Sequence, residues 1–346
     1  MVKDISERFC EKPFEFFEVN ERGDVFCCCP GWLPTPIGNL KNNDLTDIWN
    51  SDTAKDIRTS ILDGSFKYCR AKECPLIGND TLPYRKDVSD PYLKEVIQKK
   101  LIVLDKKPKT LGLSYDRSCN LVCPSCRTSK IMIEGEEYSE KHKLQNRLLE
   151  TGLNDAELLI ITGAGDPFAS KLYRELLATL DADKYPKLRI HLMTNGQLFT
   201  PRSWEKWYKV HKSIKSIQIS IDAASEETYQ LLRCGGDFKR LLVNLEFIMS
   251  LRKQSIFELV SIDFVVQQLN YKNMKDFIKL GKYFDVDRVG FAGIRNWGTF
   301  NPEAFYGHSI HLPTHPEHQQ FLELIRDPIF KEPLVDMGNL TEFIST

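Results

Sequence analysis

From Thr110 onward, six short apolar and β-branched runs alternate with longer stretches of helical periodicity. The runs are TLGLSY (110–115), ELLIITG (157–163), RIHLMTN (189–195), SIQISID (216–222), ELVSIDFVV (258–266) and RVGFAGI (288–294). Between the fourth and fifth, FKRLLVNLEFIMSLRK (238–253) places Leu241, Leu242, Leu245, Ile248 and Met249 at three- and four-residue steps, the mark of an amphipathic helix. Strand–helix alternation repeated six times requires parallel pairing through crossover helices. The expected fold is α/β, a partial (β/α)6 TIM-like barrel. Chemistry in such folds sits at the C-terminal ends of the strands. The strand ends here lead into TGAGDPFAS (162–170), TNGQ (194–197) and SIDAAS (220–225), polar or glycine-rich loops that share one rim.

Before Thr110 the character differs. Residues 37–64 read as a turn and one amphipathic helix, with Asp44 or Ser51 as a cap. The flanks carry cysteine, glycine and proline, as a small metal-stapled domain would. The 346 residues suffice for one large domain and a smaller one. The expected segments are 1–108, Cys-rich; 109–300, the α/β core; and 301–346, a C-terminal extension. A net charge of -1 gives no basic footprint, so nucleic acid is not an expected partner. MVKDISERFCEKPF at the N-terminus lacks the apolar stretch of a secretory signal. No apolar run approaches the length of a membrane helix, so the expected location is cytoplasmic, with no membrane partner. Ten cysteines then read as metal ligands or reactive thiols rather than disulfides.

Three of them, Cys119, Cys123 and Cys126, lie in RSCNLVCPSCR (117–127) at C-x3-C-x2-C spacing, directly after the first run. Three thiolates cannot complete a four-coordinate site alone. On a four-iron cluster they would hold three irons and leave the fourth open, and an open position is what a catalytic metal centre needs. A zinc site is the alternative, and it requires a fourth ligand from elsewhere.

This motif, placed after the first strand of a (β/α)6 domain, resembles the radical S-adenosylmethionine (SAM) enzymes over about residues 109–300. The resemblance implies a [4Fe-4S] cluster on Cys119, Cys123 and Cys126 whose open iron chelates SAM. It implies reductive cleavage of SAM to a 5′-deoxyadenosyl radical that abstracts a substrate hydrogen, with a reducing partner such as flavodoxin or ferredoxin. Family members carry a glycine-rich stretch ending in an acidic residue that meets the methionine amino group. Gly163, Ala164, Gly165 and Asp166 match it, with Asp where Glu is usual. Ser220 and Asp222 of SIDA match the stretch that meets the ribose or carboxylate, and strand alternation would point both the same way. Asn195 lies on the same rim. Position 125, often aromatic in the family, is Ser125.

Cys10, Gly23 and Cys28 satisfy C-x12-G-x4-C, and Cys69 and Cys74 follow in YCRAKECP. Four thiolates from separated segments suffice for one cluster or one structural zinc. The segment resembles the SPASM or twitch auxiliary-cluster domains of radical SAM enzymes, although those usually follow the barrel. One auxiliary [4Fe-4S] cluster is implied, on Cys10, Cys28, Cys69 and Cys74. The triple Cys27–Cys29 leaves open which member ligates.

Cys234, in LRCGGDF, stands apart from both groups. An S–H bond is weak enough to give a hydrogen atom to a carbon radical, as some radical SAM epimerases are understood to do. A small apolar filler is the plainer reading. Arg233 beside it reads as structural or substrate-facing, and Trp297 as pocket lining or core. His308, His311, His315 and His318 lie among prolines at irregular spacing and read as a solvated loop. The expected function is hydrogen abstraction leading to epimerisation of a small-molecule, sugar or peptide-like substrate. Dehydrogenation or peptide maturation, with the auxiliary cluster as electron acceptor, is the alternative. A non-catalytic metal-binding scaffold is the remote one.

Overall fold

A computed structural model describes residues 4–344. The chain divides into two compact units. The first comprises residues up to Asp116, then Ile133–Ala164 and Asp183–Arg189. The second comprises Arg117–Met132, Gly165–Ala182 and the chain from Ile190 on.

In the first unit, strand β1 (Phe16–Asn20) pairs antiparallel with β2 (Asp24–Phe26), which pairs with β3 (Gly38–Asn39). On its other side β1 runs parallel to β4 (Thr110–Ser114), from Phe16 opposite Thr110 to Asn20 opposite Ser114. Strand β4 continues parallel to β5 (Leu158–Ile161). Phe17 and Val19 of β1 are fully buried on one face, as are Leu111 and Leu113 of β4. Sequence periodicity missed β1 to β3 because the five residues FFEVN give too short an alternation. Gly23 makes the β1–β2 turn at φ +84°, where a side chain would also collide with Lys41.

The helical segment expected over 37–64 is two helices, α1 (Leu45–Trp49) and α2 (Asp52–Leu62). The break falls at Asn50, whose amide spans Leu104 by donating to its carbonyl and accepting from its N–H, both at 2.9 Å. Ser51 restarts the helix, its Oγ accepting from Ala54 N at 3.2 Å, a cap that contributes about 1 kcal/mol. Asp44 precedes α1 without a side-chain cap. Helix α3 (Gly135–Gly152) completes the named elements of this unit.

The second unit is an all-parallel series: β6 (Arg189–Thr194), β7 (Ile214–Ser220), β8 (Leu259–Val266), β9 (Arg288–Gly293) and the short β10 (Val335–Asp336). Helices α4 (Lys171–Thr179), α5 (Glu226–Leu232), α6 (Phe238–Lys253) and α7 (Met274–Phe284) lie between or before these strands. Leu241, Leu245, Ile248 and Met249 of α6 are buried, as their spacing requires. Each unit is α/β. The pairings β4–β5, β6–β7, β7–β8, β8–β9 and β9–β10 are all parallel.

The histidine tail corrects the sequence reading. It is not a solvated loop: His315 and His318 are buried, at 6% and 9% exposure. The His318 ring bonds the Ile310 carbonyl at 3.0 Å and leads helix α8 (His318–Ile325). Phe321 of that helix carries the tail into the core. Among the described residues no helix is long and apolar enough to cross a membrane.

Candidate functional site

The loop Arg117–Met132 is held at several points within the second unit. Cys119 N donates to Ile131 O at 2.9 Å, closing the loop on itself. Val122 N donates to Cys234 O at 2.9 Å, and Asp166 N to Ser118 O at 2.9 Å. Cys126 and Arg127 both donate their N–H to Cys123 O, making a turn that sets the C-x2-C pair. Cys119, Leu121 and Cys123 form one buried cluster, with Cys126 packed against it.

Each of the three sulfurs has an N–H donor aimed at it. Leu121 N reaches Cys119 Sγ at 3.5 Å and Asn195 Nδ2 reaches it at 3.6 Å. Arg233 Nη1 reaches Cys123 Sγ at 3.8 Å, and Arg127 Nη2 reaches Cys126 Sγ at 3.3 Å. Donors to sulfur favour the thiolate form that binds iron and tune a bound cluster's potential. Burial pushes the Cys119 thiol up to about 11 and raises Cys123 as well. Metal binding must displace those protons, and the two guanidinium groups offset the charge that results.

Neighbouring strand ends contribute fixed polar groups. Asp166 is fully buried, and both carboxylate oxygens are used. Oδ1 accepts from Phe168 N and Ala169 N at 3.0 and 3.2 Å, and Oδ2 from Thr194 Oγ1 and Asn195 N at 2.7 and 2.8 Å. Burial nevertheless raises its pKa. Asp166 therefore ties its loop to the end of β6. Its carboxylate is spent on that task before any amino group arrives, while its N–H holds the cysteine loop. Before it, Thr162 adopts φ +63° and its Oγ1 accepts from Ala164 N at 3.0 Å. A β-branched residue in that region is strained, and the strain shapes the turn carrying Gly163 and Ala164. Asn195 links two loops, donating also to Asn120 Oδ1 at 3.0 Å. Gly196 follows at φ +76°, where a side chain would strike Leu241.

Ser220 ends β7 half-buried, but Asp222 does not share its direction. Asp222 adopts φ +63°, so strand alternation has stopped. Its carboxylate turns inward, accepting from Val265 N at 2.8 Å and pairing with Arg233 at 2.8 Å. Arg233 is thus the residue the sequence left ambiguous: it joins Asp222 to Cys123. Its Nε is buried without a partner, so an anionic acceptor is wanted there. Arg127 escaped the sequence reading, and its only signal was its place beside the third cysteine.

In the first unit, Cys10, Cys28, Cys69 and Cys74 line one small, largely apolar cavity with Trp32, Phe66 and Leu82 among its walls. The Trp32 side chain hydrogen-bonds Cys28. Cys27 and Cys29 are not in that lining. Cys27 is buried near the Arg58 guanidinium instead. Burial pushes Cys10 and Cys69 up to about 12. Of the triple, only Cys28 lines this cavity, which brings four sulfurs around one space. Among the described residues no three Cys, His, Asp or Glu side chains crowd around a single point as ligands of one ion do. Thiolates of a cubane, each on its own iron, stand farther apart than that.

A profile of the Radical SAM superfamily matches residues 114–280, and that of the SPASM iron–sulfur cluster-binding domain matches residues 10–75. Residues 114–280 are a radical SAM domain. The chain's cofactors are a [4Fe-4S] cluster with SAM, and its SPASM domain is an iron–sulfur domain. Among solved structures, Streptococcus suis SuiB bound to precursor peptide SuiA is similar at 14% identity. That match covers 92% of this chain and 70% of SuiB, with a TM-score of 0.46. Native anSMEcpe with bound AdoMet is similar at 20% identity over 61% of this chain and 57% of that one, with a TM-score of 0.39. Comparison with curated proteins returned no match. In this radical SAM chain the SPASM segment precedes the core.

The site fits the radical SAM cofactors by its donor chemistry. The triad offers only sulfur, each sulfur has an N–H donor, and the buried Nε of Arg233 awaits an acceptor. Cys234 sits just past the end of α5, half-exposed. Its Sγ lies 3.5 Å from Gln230 O and 3.4 Å from Leu231 O.

Proposed function

We propose that this radical SAM enzyme epimerises a carbon centre, with Cys234 returning the hydrogen atom. In this reading residues 1–108 form the auxiliary-cluster segment, 109–300 the radical SAM core and 301–346 an extension. When bound on Cys119, Cys123 and Cys126, the cluster and SAM supply a 5′-deoxyadenosyl radical able to remove a hydrogen atom from substrate. Arg233 and Asn195 hold the cysteine loop. Cys234 gives up its S–H hydrogen to the substrate carbon, forming C–H. The sulfur then regains its hydrogen as one electron from the reducing partner, a flavodoxin or ferredoxin, and one proton from solvent.

One observation carries the reading. The Cys234 carbonyl accepts from Val122 N at 2.9 Å, so the backbone bearing this spare thiol is fixed to the cluster loop. Its sulfur lies within reach of two helix carbonyls, Gln230 O and Leu231 O. The substrate is a small molecule, a sugar or a peptide-like chain.

The second reading is oxidation. It is favoured by the four-cysteine cavity, which is a seat for an electron acceptor. Cys234→Ala separates the two. Epimerisation requires that the variant still form 5′-deoxyadenosine while product, and deuterium taken from D2O into that carbon, disappear. Unchanged product formation excludes Cys234 as donor and leaves oxidation.

A further inference from the structure

The parallel sheet of the second unit has two unlike faces. Parallel sheets are ordinarily covered and apolar on both sides. Here Leu192, Ile217, Ile262 and Val289 are completely buried on one face, where α6 and α7 pack against β8 and β9. The alternate positions are His191, Ser216, Gln218, Ser220, Asp263 and Arg288. The register sets His191 opposite Ser216, Ser220 opposite Asp263, and Ser261 opposite Arg288. Apart from Ser220, expected beside SAM, no residue of this face has a role in the reading above.

Its charges do not balance. Arg288 serves two carboxylates: Nη1 lies 2.7 Å from Asp336, while Nη2 lies 3.1 Å from Asp263. The contact to Asp336 is the shorter, while both Asp263 oxygens face Nη2, at 3.1 and 3.4 Å. Gln218 donates to Asp263 Oδ2 but brings no charge. Burial keeps the His191 pKa below its usual value, so that ring is neutral at pH 7. Two carboxylates and one guanidinium leave one negative charge, shared by Asp263 and Asp336. Burial pushes the Asp263 carboxyl up to about 6, as expected of a carboxylate short of a cation. Its side chain keeps 22% exposure, enough to be reached. Its backbone carbonyl accepts from Ile221 N at 2.9 Å, one residue before the Asp222 that pairs with Arg233. The face thus runs up to the cysteine loop.

We infer that the polar face of β6–β9, with Asp263 at its centre, is the seat of a substrate carrying a protonated amine. The inference rests on the radical SAM reading of the neighbouring loop. An amino sugar and a lysine side chain share the required chemistry.

Two matched pairs of probes test it by calorimetric titration of the reconstituted enzyme with SAM. Glucosamine is set against glucose, and N-acetyl-lysine amide against N-acetyl-norleucine amide. The ammonium member of one pair binds roughly tenfold more tightly than its neutral twin, and which pair does so names the source. Asp263→Asn abolishes the preference. Arg288→Gln strengthens it by removing the competing cation, and Asp336→Asn weakens it by releasing Arg288 to Asp263. A merely structural role for Asp263 would not give these opposite signs. Equal binding of the twins in both pairs overturns the inference. So does a preference that survives Asp263→Asn, or failure of both ammonium probes to bind at millimolar concentration. SAM binding in the same samples reports on the underlying reading. Preference absent with SAM bound refutes this inference alone, whereas absence of SAM binding refutes that reading.

Discussion

The Arg233 guanidinium lies 2.8 Å from the Asp222 carboxylate, with both side chains nearly buried, and its other terminal nitrogen lies 3.8 Å from Cys123 Sγ. One ion pair therefore joins the end of β7 to the middle cysteine of the C-x3-C-x2-C loop. Removing one partner of a buried pair costs about 3–5 kcal/mol, because the survivor is stranded. Arg233→Met is expected to lower both the unfolding midpoint and the iron retained on reconstitution. Asp222→Asn should be milder, since its amide still bonds Arg233. Full iron content in Arg233→Met would exclude the link to Cys123.

The cavity lining separates the members of the cysteine triple. Cys28→Ser is expected to remove one cluster's worth of iron and its share of the charge-transfer absorption. Cys29→Ser should leave both intact. Cys27→Ser should cost stability through its buried position beside Arg58 without changing iron stoichiometry. Anaerobic iron and sulfide analysis of the three variants decides the assignment.

Asp166 is a brace between strand ends. Asp166→Ala would strand one hydroxyl, Thr194 Oγ1, together with the backbone N–H groups of Asn195, Phe168 and Ala169. At about 1–3 kcal/mol per buried unsatisfied group, a loss of roughly 3 kcal/mol or more is expected in urea unfolding. Asp166→Asn should recover part of it. A loss under about 1 kcal/mol would show the carboxylate is not the brace.

Asp263 carries a pH signature. Burial raises its folded pKa to about 6, from 3.8. A raised carboxyl pKa favours the protonated form in the folded state. Its contribution is thus fully present below about 4 and is lost as pH rises through about 6. Wild type should therefore lose stability relative to Asp263→Asn between about pH 4 and pH 6, by on the order of 2 kcal/mol. Parallel stability curves for the two proteins over that interval would contradict the raised value.

Much of this is legible in the sequence. Strand–helix alternation from Thr110, the spacing of Cys119, Cys123 and Cys126, and the wide separation of Cys10, Cys28, Cys69 and Cys74 are patterns along the chain. Such patterns survive in one dimension because side-chain periodicity and ligand spacing along a loop depend on neighbours in sequence. Strand β1 escaped because its five residues give too short an alternation, and its pairing with β4 joins residues some ninety positions apart. The motif spacing pointed to Cys28, but the different surroundings of Cys27 and Cys29 were not legible, because adjacent residues differ in the direction their side chains take in the fold.

The same distinction governs the carboxylates. A sequence can place Asp166, Asp222 and Asp263 at strand ends or within strands, but it cannot say what meets them. Asp166 is spent on four hydrogen bonds and Asp222 on Arg233, while Asp263 shares its guanidinium with Asp336. These partners come from distant stretches of chain. Solvation and charge compensation are sums over everything nearby in space, so only the tertiary structure decided how each carboxylate is partnered.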